Sequence, residues 1–442
     1  MGNGVGEVSA DHGKTDKISE AIRYLGQKGA VYIFAGNFLS RFASFFGSIF
    51  LIRILSKPTY GILAYSENIY SYAYLFAGFG MMYSLLRYIV LGNTPAEKYA
   101  YYRYAVRKSS IINIGLVAII AIGGMIYPHP DKFSDAHWLL PLLLLAVPFQ
   151  NLLEHNLNTY RSHFSNLRYA IAALLSAVFV IAARCIGGEF GGLFGVAVAA
   201  VAANAVVAFA TSGDVRGAFF RNVVPDTLER EAKREASRYS LQYMLTNSIW
   251  AIIMLNDIFL LGQLLGDEII VAEYKVAYVL PANLSIISAA IGIFVGPYFV
   301  RHEKDRRWVW KNYKRAVLAT AVGIGSAALI LFVAAEPVIR LLYGSDYLTV
   351  VPVMRVLLIG AFINSGLRFM TAHLLSSMNR IVYNIVVSLV GVILQIGVNI
   401  MVIPRFGAMG SAYTGIAVYS LMAVALITIF VKQYRVSPTS PA

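Results

Sequence analysis

The sequence predicts an all-α integral membrane protein whose twelve transmembrane helices form two parallel-repeat six-helix lobes around a central cavity. Its composition, the lengths of its apolar runs and the placement of its basic residues lead to this prediction. Of 442 residues, 58% are hydrophobic and only 14% are charged, whereas a soluble domain has roughly 25% charged residues. A chain this long and this apolar cannot hide its apolar surface in one water-soluble core, so lipid must surround most of it.

Apolar runs long enough to cross a bilayer set the number of predicted helices. A helix needs about 20 residues to span the hydrocarbon core, and twelve stretches meet or approach that length. They cover residues 30–52, 60–91, 109–128, 137–159, 169–188, 191–211, 241–265, 271–300, 316–338, 350–377, 382–404 and 409–431.

The distribution of Lys and Arg predicts the orientation of these helices. An even number of spans places both chain ends on one side of the membrane. Of the 37 Lys and Arg residues, 26 fall on the side of the N-terminus and 7 on the opposite side, and the other 4 lie within predicted spans. The 7 include Arg184 and Lys275, which are counted with the ends of their spans. Because cytoplasmic loops carry the excess of basic residues, we expect both ends in the cytoplasm and a multi-pass protein of the inner or plasma membrane.

Several classes of function are disfavoured by the sequence. The net charge of +14 does not indicate nucleic-acid binding, because the basic residues lie in short segments between apolar runs and form no patch with stacking aromatics. The His and carboxylate residues are scattered, with no zinc-protease, paired-cysteine or phosphate-loop motif. We therefore expect no enzymatic activity, no metal and no cofactor. A membrane enzyme that polymerises or ligates lipid-linked glycans is the alternative from another class.

The chain divides into five predicted regions. A cytoplasmic segment, 1–29, includes an amphipathic stretch, and the N-lobe of six spans covers 30–211. A cytoplasmic linker, 212–240, precedes the C-lobe of six spans, 241–431, and a cytoplasmic tail, 432–442. The pattern G-x-x-G-x-A occurs at 192–197 and again at 407–412, entering spans six and twelve. Since six is even, both lobes enter from the same side, which predicts a parallel repeat and alternating access by rocking of one lobe against the other.

Four segments carry a resemblance to a known family. They are LIRILSKPTYG at 51–61, NDIFLLG at 256–262, LLYGSDY at 341–347 and PRFGAMGSA at 404–412. In this order and with this span count, the chain resembles the Wzx-like polysaccharide and oligosaccharide flippases, often described as polysaccharide biosynthesis proteins. These belong to the multidrug/oligosaccharidyl-lipid/polysaccharide exporter superfamily. Ala272 departs from the pattern, since the family usually has glycine there.

The resemblance implies a flippase that moves polyprenyl-diphosphate-linked oligosaccharide from the cytoplasmic to the outer leaflet during synthesis of O-antigen, exopolysaccharide or capsule. Its partners would be that substrate, membrane lipid and the polysaccharide polymerase or export machinery. The alternative is a multidrug or metabolite antiporter of the same superfamily. Such an antiporter would favour buried carboxylates for cationic drugs, whereas the deep charges here are mostly arginines.

Charged residues within the predicted spans are the candidate substrate site, because a charge in the bilayer is costly and usually faces a cavity or a partner. Arg41 lies near the middle of span one, about 16 Å from either end, so its side chain cannot reach an interface. A guanidinium there suits a diphosphate, which it can bind bidentately. A structural pair with Glu67 of span two is the alternative.

Five further side chains complete the candidate site. Arg368 in span ten has similar depth and chemistry, with His373 five residues later. Arg87 and Arg355 lie nearer span ends, where reaching to the interface explains them as well as substrate binding does. Asp257 in span seven is the candidate for coupling to an ion or a proton, and pairing with an arginine is its alternative.

Overall fold

The computed structural model describes residues 30–126 and 129–435. Every regular element in these two ranges is helical, and they contain no strand, which confirms the all-helical prediction. The predicted amphipathic segment in 1–29 and most of the predicted tail lie outside the described residues.

The helices follow the predicted spans, with several longer or divided. We number them α1 to α15 in chain order. They are α1 Ala30–Ile54, α2 Lys57–Leu75, α3 Met81–Leu91, α4 Pro95–Ile126, α5 Ala136–Leu144, α6 Val147–Ser162, α7 Asn166–Phe219, α8 Arg230–Leu265, α9 Glu268–Asn283, α10 Ser285–Arg301, α11 Arg306–Val333, α12 Ala335–Tyr343, α13 Val351–Ala361, α14 Phe369–Ser377 and α15 Ile381–Tyr434. A π-helical turn, Phe362–Arg368, joins α13 to α14.

Length and apolarity identify the membrane-crossing helices. Nine helices in the described residues are long and apolar enough to cross a bilayer, or ten if the bent pair formed by Lys57–Leu75 and Ala77–Leu91 counts as one span. Two of the nine, α7 and α15, have 54 residues each. At 1.5 Å per residue such a helix is about 80 Å long, far more than the roughly 30 Å of a hydrocarbon core.

Both long helices are broken by a glycine. Gly192 has φ 54° and ψ −137°, and Gly407 has φ 56° and ψ −138°. This conformation is open to glycine and strongly disfavoured for other residues. Gly192 follows Asn166 by 26 residues, and Gly407 follows Ile381 by 26 residues. These are the first glycines of the two G-x-x-G-x-A patterns, so the repeated sequence pattern marks two breaks of the same geometry.

Contacts along the chain define two compact units. Unit 1 contains the described residues up to Phe50 together with Ala77–Leu116 and Leu145–Leu241. Its core includes Met81, Ile89 and Tyr160. Unit 2 contains Leu51–Phe76, Val117–Leu144 and the described residues from 242 onward. One of its cores is built around Phe299, Tyr313 and Phe430. The predicted lobes, 30–211 and 241–431, stay a prediction.

Small residues bring helices together inside each unit. In unit 1 a Cβ atom at Gly36 would lie 2.7 Å from the Cα atom of Ala170, so α1 packs directly on α7. In unit 2 a Cβ atom at Gly61 would lie 1.9 Å from the carbonyl oxygen of Glu268, so α2 lies close to the start of α9. Such close approach is typical of membrane helices, where tight packing takes the place of the hydrophobic effect.

A polar network holds the chain between α2 and α3. Gly78 has φ 55°, and its N–H donates to the side-chain oxygen of Asn113 over 2.6 Å. Asn151 accepts hydrogen bonds from Ser109 over 2.6 Å and from Asn113 over 3.0 Å. All four residues belong to unit 1. The network satisfies polar groups that helix geometry leaves unpaired at this break.

Candidate functional site

A buried polar cluster of unit 2 centres on Asp257 in α8. Asp257 is 5% exposed. The Tyr274 hydroxyl donates a hydrogen bond to Oδ2 over 2.8 Å, and the side-chain amides of Gln395 and Asn399 donate to Oδ1 over 2.9 and 2.8 Å. No arginine or lysine among the described residues forms an ion pair with this carboxylate. Uncharged donors occupy the place that the alternative prediction gave to an arginine.

The arrangement of α15 explains this cluster. Gln395 and Asn399 lie four residues apart and therefore on the same side of the helix. Both are fully buried. Their side-chain oxygens are buried and accept no hydrogen bond from any described residue. The cluster thus combines a carboxylate with two unbonded amide oxygens, which are ligand types that suit a hard cation, and a buried carboxylate in a span can also carry a proton.

Arg368 lies in the interior of unit 2. It is 3% exposed and ends the π-helical turn between α13 and α14. Its guanidinium carbon is 4.0 Å from the centroid of the Trp250 ring, and its Nε donates to the side-chain oxygen of Asn364 over 2.7 Å. A cation over the face of tryptophan is a favourable pair, more so when water is excluded. An aromatic ring and an amide therefore hold this arginine in place.

Tyr419 lies in the same interior region as Arg368. Its ring packs with Ile253 and Trp250 in one apolar cluster. Trp250, whose ring lies against Arg368, precedes Asp257 by seven residues on α8. The structure thus brings the predicted diphosphate ligand and the predicted coupling residue to the same interior region. The sequence did not identify Trp250 or Tyr419, because aromatic residues are abundant throughout the chain. It could have identified the two amides of α15, since they recur at helical spacing within an apolar run.

Two other predicted substrate ligands of unit 2, Arg355 and His373, are half-buried and packed against neighbouring groups. Arg355 donates from Nε to the carbonyl oxygen of Phe332 over 3.2 Å, and its guanidinium carbon lies 5.4 Å from that ring. His373 lies against Gly292, where an added Cβ atom would be 2.9 Å from its Cδ2, and stacks on Phe369 with ring centroids 6.3 Å apart. These contacts position both side chains within the protein.

Arg41 lies on α1 in unit 1 with its side chain exposed. It makes no hydrogen bond or ion pair with another residue in the described ranges. One turn earlier, Asn37 accepts a hydrogen bond from the Tyr169 hydroxyl over 2.7 Å. The Arg161 guanidinium lies 5.6 Å from the Tyr169 ring. Arg41 therefore lies one turn from a polar contact in which its own side chain takes no part.

Arg87 and Glu67 complete the set predicted from the sequence. Arg87, in unit 1, is exposed and lies 5.9 Å from the Tyr88 ring and 5.5 Å from the Tyr239 ring. Glu67, in unit 2, is half-buried, and its carbonyl oxygen accepts a hydrogen bond from Ser71. The pair of Arg41 with Glu67 would join the two units and stays a prediction. Within unit 1 the arginines at 41 and 87 are both exposed.

The sequence profile of the polysaccharide biosynthesis protein family matches residues 27–303, which is more than half of the chain. The chain belongs to this family. The family resemblance noted from four short segments is thereby confirmed. No curated protein sequence matches the chain significantly.

Solved structures show which fold this chain has. The lipid II flippase MurJ, in an inward closed conformation, superposes with a TM-score of 0.73 at 12% identity, covering 90% of this chain and 87% of that one. An inward-facing multidrug resistance MATE family transporter of the MOP superfamily gives 0.67 at 13%, covering 90% and 96%. A MOP superfamily transporter from Pyrococcus furiosus gives 0.61 at 13%, covering 92% and 94%. The chain is therefore a membrane-spanning helical protein with the transporter fold of the MOP superfamily.

Proposed function

We propose that this polysaccharide biosynthesis protein is a flippase for polyprenyl-diphosphate-linked oligosaccharide. It moves the substrate from the cytoplasmic to the outer leaflet of the cell membrane by alternating access, with both chain ends in the cytoplasm. Membership of the family and the MOP transporter fold support this proposal. The polymerase and export machinery of the same pathway stay predicted partners.

The proposal includes twelve spans in two six-helix lobes. The breaks at Gly192 and Gly407 divide each 54-residue helix into two segments of ordinary span length. The two breaks have the same dihedral angles, and each of the two helices is preceded by a residue of positive φ, Phe164 at 55° and Asn379 at 58°. Equal geometry at equal positions along the chain supports a parallel repeat and hence a cavity between lobes.

The observation that best supports a diphosphate-containing substrate is that the Arg41 side chain is exposed and unbonded. An always-charged side chain in an apolar helix requires a compensating partner, and its exposed guanidinium has none among the described residues. A diphosphate supplies such a partner through bidentate hydrogen bonds. Arg87, beside two tyrosine rings of unit 1, is a further proposed substrate ligand, and Arg368, Arg355, Glu67 and His373 are the proposed ligands of unit 2.

Asp257 is the proposed coupling residue. Its carboxylate and the unbonded oxygens of Gln395 and Asn399 form a site for a monovalent cation or a proton. Occupation of this site would shift the balance between the two access states, because a ligand that binds one state better favours that state. A flippase driven in this way needs no nucleotide.

The test is the production of surface polysaccharide by cells in which a variant is the only copy of the protein. We expect Arg41→Ala to abolish surface polysaccharide at normal protein levels, and the double variant Arg41→Ala/Arg368→Ala to abolish it as well. Arg221→Ala, an exposed arginine in a connecting segment, is the matched control and should leave it unchanged. Normal polysaccharide from the double variant would contradict the proposal, and reduced drug efflux with normal polysaccharide would favour the antiporter.

A further inference from the structure

A cavity in unit 1 lies apart from the candidate transport residues, between the first turns of α4 and the segment that follows α7. Its volume is about 540 Å³. Four basic side chains and one carboxylate line it: Arg103, Arg107, Lys108, Lys233 and Asp226. We call this cavity the basic pocket. A concave site with such an excess of positive charge attracts anions.

Hydrogen bonds hold the two walls of the basic pocket together. The backbone N–H of Asp226 donates to the carbonyl oxygen of Ala96 over 3.2 Å. The Asp226 carboxylate accepts a bond from the Thr94 hydroxyl over 3.5 Å. At the other end, the Tyr104 hydroxyl donates to the carbonyl oxygen of Lys233 over 3.3 Å. The pocket is therefore a defined part of unit 1, with its walls joined at both ends.

Three of the four basic groups, those of Arg103, Arg107 and Lys233, are available to a ligand. Lys108 is already bonded, since its ammonium group donates to Ser237 over 2.5 Å. Arg103 and Arg107 are exposed, and neither forms a hydrogen bond or an ion pair with another residue of the described part of the chain. They lie four residues apart on one side of α4, where like charges repel. A phosphate group between them would relieve this repulsion and accept bidentate hydrogen bonds.

An apolar part of the pocket lining continues toward the membrane. It comprises Ala100, Ile111, Pro225 and Leu228, while Tyr104 and Thr227 complete the lining. Ile111 is 64% exposed, and Ile114, nearly one turn further along α4, is 67% exposed. The basic pocket thus lies where the charged beginning of α4 meets its apolar, membrane-crossing part. Phospholipids place a charged phosphate next to acyl chains at this same boundary.

We propose that the basic pocket binds the phosphate group of an anionic phospholipid, with Arg103 and Arg107 as its ligands and an acyl chain along Ile111 and Ile114. This site is separate from the proposed transport of oligosaccharide and does not depend on it. A soluble phosphate would use the arginines but not the apolar stripe. The exposed isoleucines next to the charges therefore favour a lipid.

Titration of the purified full-length protein with phosphatidylglycerol or phosphatidylcholine, read by native mass spectrometry, tests this proposal. We expect Arg103→Gln/Arg107→Gln to weaken phosphatidylglycerol binding about tenfold or more, since each basic residue near a membrane surface contributes measurably to binding of anionic lipid. Arg103→Lys/Arg107→Lys should retain most of it. Arg221→Gln is the control and should bind as the unchanged protein does, and phosphatidylcholine binding should not change.

Equal phosphatidylglycerol binding by the glutamine variant and the unchanged protein would overturn the proposal. Displacement of the lipid by millimolar inorganic phosphate would indicate a soluble-anion site, and binding of lipid-linked oligosaccharide alone would indicate a substrate site; either result contradicts it. If the glutamine variant does not fold, modification of the unchanged protein by phenylglyoxal decides. Phosphatidylglycerol vesicles should protect Arg103 and Arg107 but not Arg221, and equal modification of all three would contradict the assignment.

Discussion

Arg41 in unit 1 and Arg368 in unit 2 are both arginines within apolar segments, yet they differ in exposure and in bonding. Arg41 is exposed and forms no hydrogen bond or ion pair with another described residue. Arg368 is 3% exposed, lies over Trp250 and is bonded to Asn364. Arg368 therefore contributes to the structure of unit 2 in addition to its proposed part in substrate binding, whereas the exposed, unbonded guanidinium of Arg41 is available to a ligand alone. Exposure and bonding therefore distinguish two arginines whose predicted depths within their spans are similar.

Substitutions that break the hydrogen bonds of Asp257, in the interior of unit 2, should destabilise the protein most. Asp257→Leu leaves the donors of Tyr274, Gln395 and Asn399 without an acceptor, and at about 1–3 kcal/mol for each buried unsatisfied group the loss is roughly 3 kcal/mol or more. Asp257→Asn keeps an acceptor oxygen and should unfold near the temperature of the unchanged protein. Thermal unfolding in detergent measures both. Equal unfolding temperatures for the leucine and asparagine variants would show that these hydrogen bonds do not hold unit 2.

The polar network of unit 1 can be tested by substitution of Gly78, which lies just before α3. Gly78 has φ 55°, and an added Cβ atom would lie 1.6 Å from the Ser109 hydroxyl. We expect Gly78→Ala to destabilise the protein by about 2 kcal/mol, because strained backbone and overpacking act together. Gly217→Ala, in an exposed turn of α7 with nothing within 4 Å, is the control and should be neutral or slightly stabilising. An unfolding temperature unchanged by Gly78→Ala would contradict the tight packing of this network.

Lysine substitutions at the two arginines test the comparison itself. Arg368→Lys loses the planar contact with Trp250 and the bond to Asn364, so we expect a loss of about 1–2 kcal/mol. Arg41→Lys should change the free energy of unfolding by less than about 0.5 kcal/mol, as exposed positions usually do, while transport falls because an ammonium cannot bind a diphosphate bidentately. Equal destabilisation by both variants would remove the distinction between them.

The smallest effect should come from an ion pair outside the membrane-crossing segments of unit 2. Partial burial works to raise the pKa of Asp267, but hydrogen bonds from Lys132 and from the N–H groups of Ile270 and Ile269 outweigh it and hold the pKa below its ordinary value. A carboxyl group with a lowered folded-state pKa stabilises the protein above its unfolded pKa of about 3.9. This contribution is lost as the pH falls through the lower folded-state pKa.

Asp267→Asn checks this pH dependence, because asparagine can still cap α9. The difference in unfolding temperature from the unchanged protein should be small and constant above about pH 5 and should disappear in acid. A difference that grows in acid would have the wrong sign for a lowered pKa.

The features that the sequence predicted are those that depend on local pattern. The helical class follows from apolar runs, and the two glycine breaks lie where a repeated pattern begins. The buried bonding of Asp257 could not be predicted in the same way. Its donors come from α9 and α15, more than 100 positions away in the case of Gln395 and Asn399, and only the packing of unit 2 brings them together.

The candidate site shows the same division. Position within a span identified Arg41 and Arg368 equally, but partners such as Trp250 and Asn364 depend on the π-helical turn before Arg368. A wider helical turn leaves no clear sign in the residues FINSGLR. The basic pocket of unit 1 was likewise hidden, because its lysines and arginines served in the sequence only as indicators of orientation.

The most direct test of the proposed function is reconstitution of the purified protein in vesicles with fluorescently labelled polyprenyl-diphosphate oligosaccharide, measured by the access of a membrane-impermeant quencher to the label. We expect the unchanged protein and Arg221→Ala to move the label between leaflets, and Arg41→Ala to lose this activity while unfolding at the same temperature. A label that stays in its original leaflet with the unchanged protein, or that moves equally fast with Arg41→Ala, would contradict the account.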